Sequence, residues 1–320
     1  MQDNAGIKLF ALNSNPELSQ KIATKLGVKL GNTTVQHFSD GEIQINIDQS
    51  VRGCDVFVLQ SISDPVNENF MELMVMIDAL RRASAGTINC IIPYYGYARS
   101  DRKTRPREPI TAKLIANFLT MAGANRVITL DLHAGQLQGF FDIPVDHLLA
   151  IYDQADYLKQ KGLDEDAIVV APDHSSVKNV RNLAELLKAP IAIVDKRDAN
   201  RVNPENTDVI GDVAGHRCIV FDDMIDTGAK MVDAAAVLKQ AGATEVYGVA
   251  THPVFSGKAV EELSNSELKE VIVTDTIQIP SEKQFDQLRI VSVASIFAKA
   301  ISLIYHNQSV DSLFNKNDNI

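Results

Sequence analysis

Short apolar runs rich in β-branched residues alternate along the chain with longer segments whose apolar positions recur every three or four residues. The runs fall at residues 7–11, 56–60, 89–93, 127–130, 168–171, 191–194, 218–221, 246–250 and 271–274. The amphipathic segments between them include 16–26, 67–83, 111–122 and 231–241. Strands separated by helices predict an α/β fold, with parallel sheets flanked by helices and joined by βαβ crossovers. Asn13 to Pro16 predicts a helix start, with Ser14 or Asn15 as the cap and Pro16 in the first turn.

The pattern echoes itself. Ala122-Gly123-Ala124-Asn125-Arg126-Val127 closes one helix and opens a strand, and Ala241-Gly242-Ala243-Thr244-Glu245-Val246 does the same half a chain later. Upstream of each lies a strand ending in a polar loop, 92–107 and 221–230. Two similar α/β domains are expected, divided near residues 145–149, each presenting a loop to a shared cleft. Glycine is common after any helix, so chance similarity of the two turns stays open. The expected bounds are 1–146 and 147–306, followed at 307–320 by a surface helix with a frayed polar end.

The most informative segment is Cys218-Ile219-Val220-Phe221-Asp222-Asp223-Met224-Ile225-Asp226-Thr227-Gly228-Ala229-Lys230. Four apolar residues predict a buried strand, two acids follow, and a turn of small residues leads into a helix. Ligands of open α/β sheets sit outside the carboxyl ends of the strands. A turn opening into a helix offers amide N–H groups to a phosphate, and acids just before it suit sugar hydroxyls. A sugar-phosphate cradle is one reading. A strand end followed by a Thr227 helix cap is the other.

Composition narrows the class. The 320 residues are 45% hydrophobic and 22% charged, as in a soluble globular protein of two ordinary domains. Thirty-one Lys+Arg against 41 Asp+Glu give a net charge of −10, which argues against nucleic acid or an anionic membrane as a partner. No uncharged apolar run approaches the roughly 18 residues needed to span a bilayer. The first residues carry neither the basic end nor the apolar core of a signal peptide. Cys54, Cys90 and Cys218 are widely spaced with no CxxC, Cys90 and Cys218 fall in apolar strand-like runs, and plain buried thiols in a reducing compartment are expected. A cytoplasmic location is expected.

Against the acidic background, Arg99 to Arg107 holds five cations and one acid in nine residues, directly after the strand at 89–93. A solvated basic loop is the bland explanation. A polyphosphate partner is the alternative, because guanidinium forks match phosphate oxygens at a strand mouth. Two more strand mouths carry Asp131-Leu132-His133 and Pro172-Asp173-His174-Ser175-Ser176. An imidazole and a carboxylate there could jointly hold Mg²⁺ bridging phosphates, or be structural. A zinc site is not expected, since no HxxxH or Cys/His cluster occurs. Asp195-Lys196-Arg197-Asp198 places a lysine after a strand, where it could neutralise a transferring phosphoryl group. His37-Phe38-Ser39-Asp40-Gly41-Glu42 pairs an aromatic ring with carboxylates that suit a purine, and reads equally well as a turn.

These constellations, in this order, resemble the ribose-phosphate pyrophosphokinases (PRPP synthetases). The resemblance runs from Lys8-Leu9-Phe10 to Ser309-Val310 and includes Asp64-Pro65-Val66-Asn67, Asp78-Ala79-Leu80-Arg81-Arg82-Ala83-Ser84-Ala85 and Gln138-Gly139-Phe140-Phe141-Asp142-Ile143-Pro144. It implies two phosphoribosyltransferase-like domains. It implies that Phe38, Asp40, Gly41 and Glu42 bind the adenine of ATP, reaching in from a neighbouring subunit, and that Arg99 and Ser100 lie at its phosphates. His133 and Asp173 match the Mg²⁺ positions. Lys196 matches the catalytic-loop lysine, and Asp198 stands at an arginine position of that loop. Asp222, Asp223, Asp226, Thr227, Gly228, Ala229 and Lys230 match the ribose-5-phosphate site. The implied reaction is attack of the ribose 1-hydroxyl on the β-phosphorus of ATP, giving PRPP and AMP for nucleotide biosynthesis. Hexamers and control by phosphate and ADP are implied too, with Ser50, Arg52, Arg82, Ser84, Gln136 and Ser309 in the regulatory segments.

The chain departs from the family pattern where the chemistry would lie. Tyr-Ala-Arg-Gln-Asp has Ser100 in place of Gln. Pro-Asp-His-Gly-Gly becomes Pro172-Asp173-His174-Ser175-Ser176, and the next segment has Asn179 for Arg while keeping Arg181. Lys-Arg-Arg becomes Lys196-Arg197-Asp198, and Asp-Thr-Ala-Gly-Thr becomes Asp226-Thr227-Gly228-Ala229-Lys230. Ala229 is expected to crowd a loop whose amides approach phosphate. The clustering suggests a diverged second paralogue with weakened catalysis, or an impaired, nucleotide-binding regulatory subunit that joins a paralogous synthetase. A phosphoribosyltransferase is disfavoured, because the Phe38 turn, the Arg99 loop and Lys196 belong together only in the synthetase pattern.

Overall fold

In the computed structural model, which describes residues 6–196 and 207–314, the runs and amphipathic segments take up the expected roles. The first unit contains β1 (Lys8–Ala11), α1 (Pro16–Leu26), β2 (Thr33–His37), β3 (Ile43–Ile47), β4 (Asp55–Leu59), α2 (Val66–Arg82), β5 (Thr87–Ile92), α3 (Thr111–Ala122), β6 (Arg126–Leu130) and β7 (Val145–Leu148). Its five-stranded sheet has the order β1-β4-β5-β6-β7, every pair parallel. The strands are apolar nearly throughout, as sheets covered on both faces require. Asn15, rather than Ser14, caps α1: its side chain accepts from the Leu18 amide at 3.1 Å.

The second unit contains α4 (Ile151–Gln160), β8 (Ala167–Ala171), α5 (Val177–Leu187), β9 (Ile191–Lys196), β10 (Thr207–Ile210), β11 (Arg217–Ile225), α6 (Ala229–Gln240), β12 (Glu245–Pro253), α7 (Ala259–Ser264), β13 (Glu270–Thr274) and β14 (Leu288–Val291). Its seven-stranded sheet has the order β10-β9-β8-β11-β12-β13-β14, parallel except where β10 meets β9. The two Ala-Gly-Ala turns do the same work in both units. Gly123 and Gly242 adopt φ of 122° and 91°, each ending a helix and releasing the chain into a strand.

Two expectations on organisation change. The chain divides at Leu149/Ala150, and the segments Thr276–Gln278 and Ser292–Ile320 return to the first unit. Hence α8 (Ala294–Tyr305), expected in the second domain, packs on α1. The returning segment is fastened by Ser61, whose hydroxyl donates to the Thr276 carbonyl at 2.5 Å. Among the described residues no surface helix begins at residue 307, and residues 315–320 of that expectation lie outside the described residues. Asn307 takes φ of 54° and stops α8 in the left-handed conformation, leaving one 3₁₀ turn at Asp311–Leu313. Cys90 and Cys218 are buried as expected, and burial pushes their thiols up to about 12 and about 11. Among the described residues no helix is long and apolar enough to cross a membrane.

Candidate active site

The chain moves outward from β8 to β9 and β10, then returns to place β11 on the other side of β8. Strand order reverses there, and in an open sheet the crevice at such a point, outside the carboxyl ends, is where ligands bind. Pairing of β8 with β11 stops at Val170–Val220. Beyond it β8 gives way to Pro172 and Asp173, while β11 runs on beside the equally long β12, with Asp222, Met224 and Ile225 opposite Ala250, His252 and Pro253. Asp222 and Asp223, expected to follow the strand, therefore lie within it. A nine-residue partner strand supplies the hydrogen bonds that keep them extended.

Asp222 is buried, 5% exposed, and faces a carboxylate from the neighbouring strand mouth. Lys230, in the first turn of α6, bridges them: its Nζ lies 2.8 Å from Asp173 Oδ2 and 2.9 Å from Asp222 Oδ2. Asp173 Oδ1 accepts from the Ser175 amide at 2.8 Å, the Ser175 hydroxyl at 2.5 Å and the Ser176 amide at 3.2 Å. Asp222 Oδ1 accepts from the Ser176 hydroxyl at 2.8 Å and the Asp223 amide at 3.1 Å. Burial raises the Asp222 carboxyl above its ordinary value, and Lys230 offsets that only in part. Burial also works against ionised Asp173 and Lys230. The Lys230, Ser175 and Ser176 contacts nevertheless take Asp173 well below the carboxylate range, and Asp222 with Asp173 holds the ammonium above its ordinary value.

The turn after β11 is built to open a helix. The Ser256 hydroxyl donates to the Asp226 carboxylate and its amide to the Asp226 carbonyl at 3.0 Å. Gly228 takes φ of 84° and has no side chain with which to cap α6, and a helix start left uncapped in this way can accept a phosphate. Ala229 is the first helical residue and its methyl is exposed, whereas the left-handed position is still a glycine. Thr227 is exposed beside them. One strand over, His174 Nε2 lies 2.8 Å from Asp195 Oδ1. Lys196 ends β9, with its backbone opposite Thr207, and Asp198 lies outside the described residues.

In the first unit, Phe38, Asp40, Gly41 and Glu42 form the exposed turn of the β2–β3 hairpin. Phe38 is 47% exposed, Gly41 takes φ of 90°, and the Asp40 carboxylate accepts the Glu42 amide at 3.1 Å. The hairpin is anchored by a residue that the sequence did not single out for chemistry. Glu72 of α2, 2% exposed, lies 2.9 Å from His37 Nε2 and also accepts from Asn13 and Gln60 at 2.8 Å each. A hairpin residue paired with a buried acid has no local sequence signature. The basic loop follows β5: Tyr95 is buried with its hydroxyl on the Ala112 carbonyl, and a Cβ on Gly96 would sit 2.4 Å from the Ile62 carbonyl oxygen. Arg99 is exposed, and Ser100, half-buried, donates its amide to Tyr97 at 2.9 Å. His133 is exposed on the loop after β6. His133 belongs to the first unit and Asp173 to the second, and among the described residues no group of three or more His, Cys, Asp or Glu is placed to hold a metal.

Comparison with known proteins settles the family. Residues 7–123 match the N-terminal domain of ribose phosphate pyrophosphokinase and residues 197–315 the phosphoribosyl synthetase-associated domain. The chain is 54% identical over 312 residues to the ribose-phosphate pyrophosphokinases of Bacillus cereus and Corynebacterium ammoniagenes, covering 98% of each chain. The chain belongs to the ribose-phosphate pyrophosphokinase family. The crystal structure of phosphoribosylpyrophosphate synthetase from Mycobacterium smegmatis superposes with a TM-score of 0.90 at 43% identity, over 94% of this chain and 99% of that one.

Of the positions matched to the family's regulatory segments, two meet. Arg52 Nη1 donates to the Ser84 hydroxyl at 3.0 Å, and Ser84 takes φ of 62°. Arg82 instead pairs with Asp78 at 2.7 Å, Gln136 reaches Asp101 at 3.4 Å, and the Ser309 hydroxyl accepts the Asp311 amide. Ser50 is exposed.

The Asp173 contacts give the site a defined pH response. A carboxyl depressed by folding contributes stability that is complete above its unfolded pKa of about 4 and lost as pH falls through its folded value. The ammonium, raised by folding, contributes up to about pH 10 and loses its contribution only above that. Wild type should exceed Asp173→Asn by about 1–2 kcal/mol at neutral pH, the low end for charged hydrogen bonds because the group is partly exposed. Urea unfolding against pH should show this difference constant from about pH 5 to 9 and shrinking below about pH 4. A difference already absent at pH 6 would contradict the assignment.

Proposed function

We propose that the chain transfers the diphosphoryl group of ATP to ribose 5-phosphate. The 1-hydroxyl oxygen bonds to the β-phosphorus, the bond from that phosphorus to the oxygen shared with the α-phosphate breaks, AMP leaves with that oxygen, and the hydroxyl proton passes to solvent. The product is 5-phospho-α-D-ribose 1-diphosphate. The observation that carries this reading is the meeting of strand-mouth carboxylates with the opening of α6 at the point where the sheet order reverses. Family membership supports the same conclusion. The phosphate of the sugar sits on the turn 226–230, with Asp222 and Asp223 toward its hydroxyls. Phe38 stacks on adenine, with Asp40 and Glu42 beside it, and Arg99 binds the phosphates. Lys196 neutralises the charge that develops during transfer. Mg²⁺ would come as the companion of ATP, and its charge would screen the phosphates. Asp173 does not fit as its ligand, because hydrogen bonds and Lys230 already occupy both carboxylate oxygens. The reaction is a cytoplasmic one in this reading.

The rate is reduced. Asp198 puts an anion where the family pattern has a cation, and such cations are worth about 10³–10⁵ in rate by analogy with arginine fingers. Purified protein with ATP and ribose 5-phosphate should release AMP below the ~1–100 s⁻¹ usual for kinases, and Asp198→Arg should raise kcat at least about tenfold. No AMP from either protein, with ATP still bound, would favour the second reading, a nucleotide-binding regulatory subunit of a paralogous synthetase. The Lys230 bridge across the sugar-side carboxylates is what speaks for that alternative.

Self-association, of the hexameric kind the resemblance implies, is part of the proposal. Met71, Leu114, Phe118 and Met121 of α2 and α3 are each at least 40% exposed, and the Phe118 ring lies 6.1 Å from that of Phe70. Large apolar side chains gathered on two neighbouring helices are characteristic of an interface. Light scattering should report an oligomer for wild type and smaller species for Phe118→Glu/Met121→Glu. A wild-type monomer that still binds ATP fully would rule the oligomer out.

A further inference from the structure

Three of the departures from the family pattern are one structural unit. Ser175 and Ser176 stand where the pattern has two glycines, and Lys230 where it has threonine. Glycines would keep the two amide bonds to Asp173 Oδ1 but remove the Ser175 hydroxyl from Asp173 and the Ser176 hydroxyl from Asp222. A threonine, three bonds shorter and uncharged, would leave Asp173 and the buried Asp222 facing each other with no cation between them. In this chain an ammonium fills that place, within 2.9 Å of a carboxylate oxygen on either side.

We propose that Lys230 is a tethered substitute for a divalent cation at the Asp173–Asp222 pair. Two carboxylates converging on one point are the kind of oxygen donor set that a hard divalent ion takes up. A lysine neutralises one of the two charges and needs no ion from solution. Its three N–H donors supply the hydrogen bonds that metal coordination would otherwise replace. Ser175 and Ser176 complete the exchange by hydrogen-bonding to the carboxylate oxygens that face away from the ammonium. The second unit thus keeps its strand-mouth carboxylates ordered without a metal, and any divalent ion used by the chain arrives with the nucleotide.

The test needs neither ATP nor ribose 5-phosphate, so its outcome is separate from that of the transfer assay. Mn²⁺ bound per chain is counted by electron paramagnetic resonance on the nucleotide-free, full-length protein. Lys230→Thr should bind one more Mn²⁺ than wild type, and Lys230→Thr/Asp222→Asn should lose it again. In chelator, Lys230→Thr should melt roughly 5–10 °C below wild type, as expected when a buried charge loses its partner, and Mn²⁺ should restore at least half of that shift. Equal Mn²⁺ counts for wild type and Lys230→Thr overturn the proposal. A second arm stands by itself if Lys230→Thr does not fold. Asp222→Asn and Asp173→Asn with Lys230 retained should leave the Mn²⁺ count unchanged, and the loss of one equivalent in either overturns the proposal.

Discussion

A carboxylate carried into a sheet by its own strand must be neutralised, because its burial opposes the charged form. Asp222 is in that position, and burial alone would leave it protonated or the strand end distorted. Lys230 offsets that cost in part from the first turn of the next helix. Its ammonium ties β11, which pairing with β12 extends past the end of β8, to the Asp173 loop and to the first turn of α6. One ammonium group thus links the two strand-mouth carboxylates to the opening of the helix. Each of the four side chains in the cluster, Asp173, Ser176, Asp222 and Lys230, is held by at least two of the others or by neighbouring amides.

The first unit solves a similar problem with different residues. Glu72 is buried on α2 and collects Asn13, Gln60 and His37. The first two come from the mouths of β1 and β4, and His37 is the last residue of β2. One acid thus connects the sheet to the base of a hairpin that otherwise has a half-exposed face. The Phe38 turn is thus tied down at its root and exposed at its tip.

Much of this was legible in the chain. Continuous apolar runs such as Val56 to Leu59 and Val169 to Ala171 announce parallel strands, and Pro16 after Asn15 announces a helix start. The strands at Thr33–His37, Ile43–Ile47 and Leu288–Val291 were not, because they are short and have polar or half-buried faces. The full length of β11 is hidden because an acid pair after Phe221 looks like a strand end, whereas the pairing with β12 carries the backbone four residues further, to Ile225. The return of α8 to the first unit depends on contacts far apart in sequence, which no local pattern encodes. Ser175, Ser176 and Lys230 were visible as departures, but their meeting on Asp173 and Asp222 is a property of the folded sheet alone.

The account stands or falls on the turn between β11 and α6. A crystal structure of the protein saturated with ribose 5-phosphate tests it most directly. The account predicts the phosphate on the amides of residues 226–230, the ribose hydroxyls toward Asp222 and Asp223, and Lys230 still bridging Asp173 and Asp222. Density for the sugar phosphate only elsewhere, with this turn empty, would contradict it.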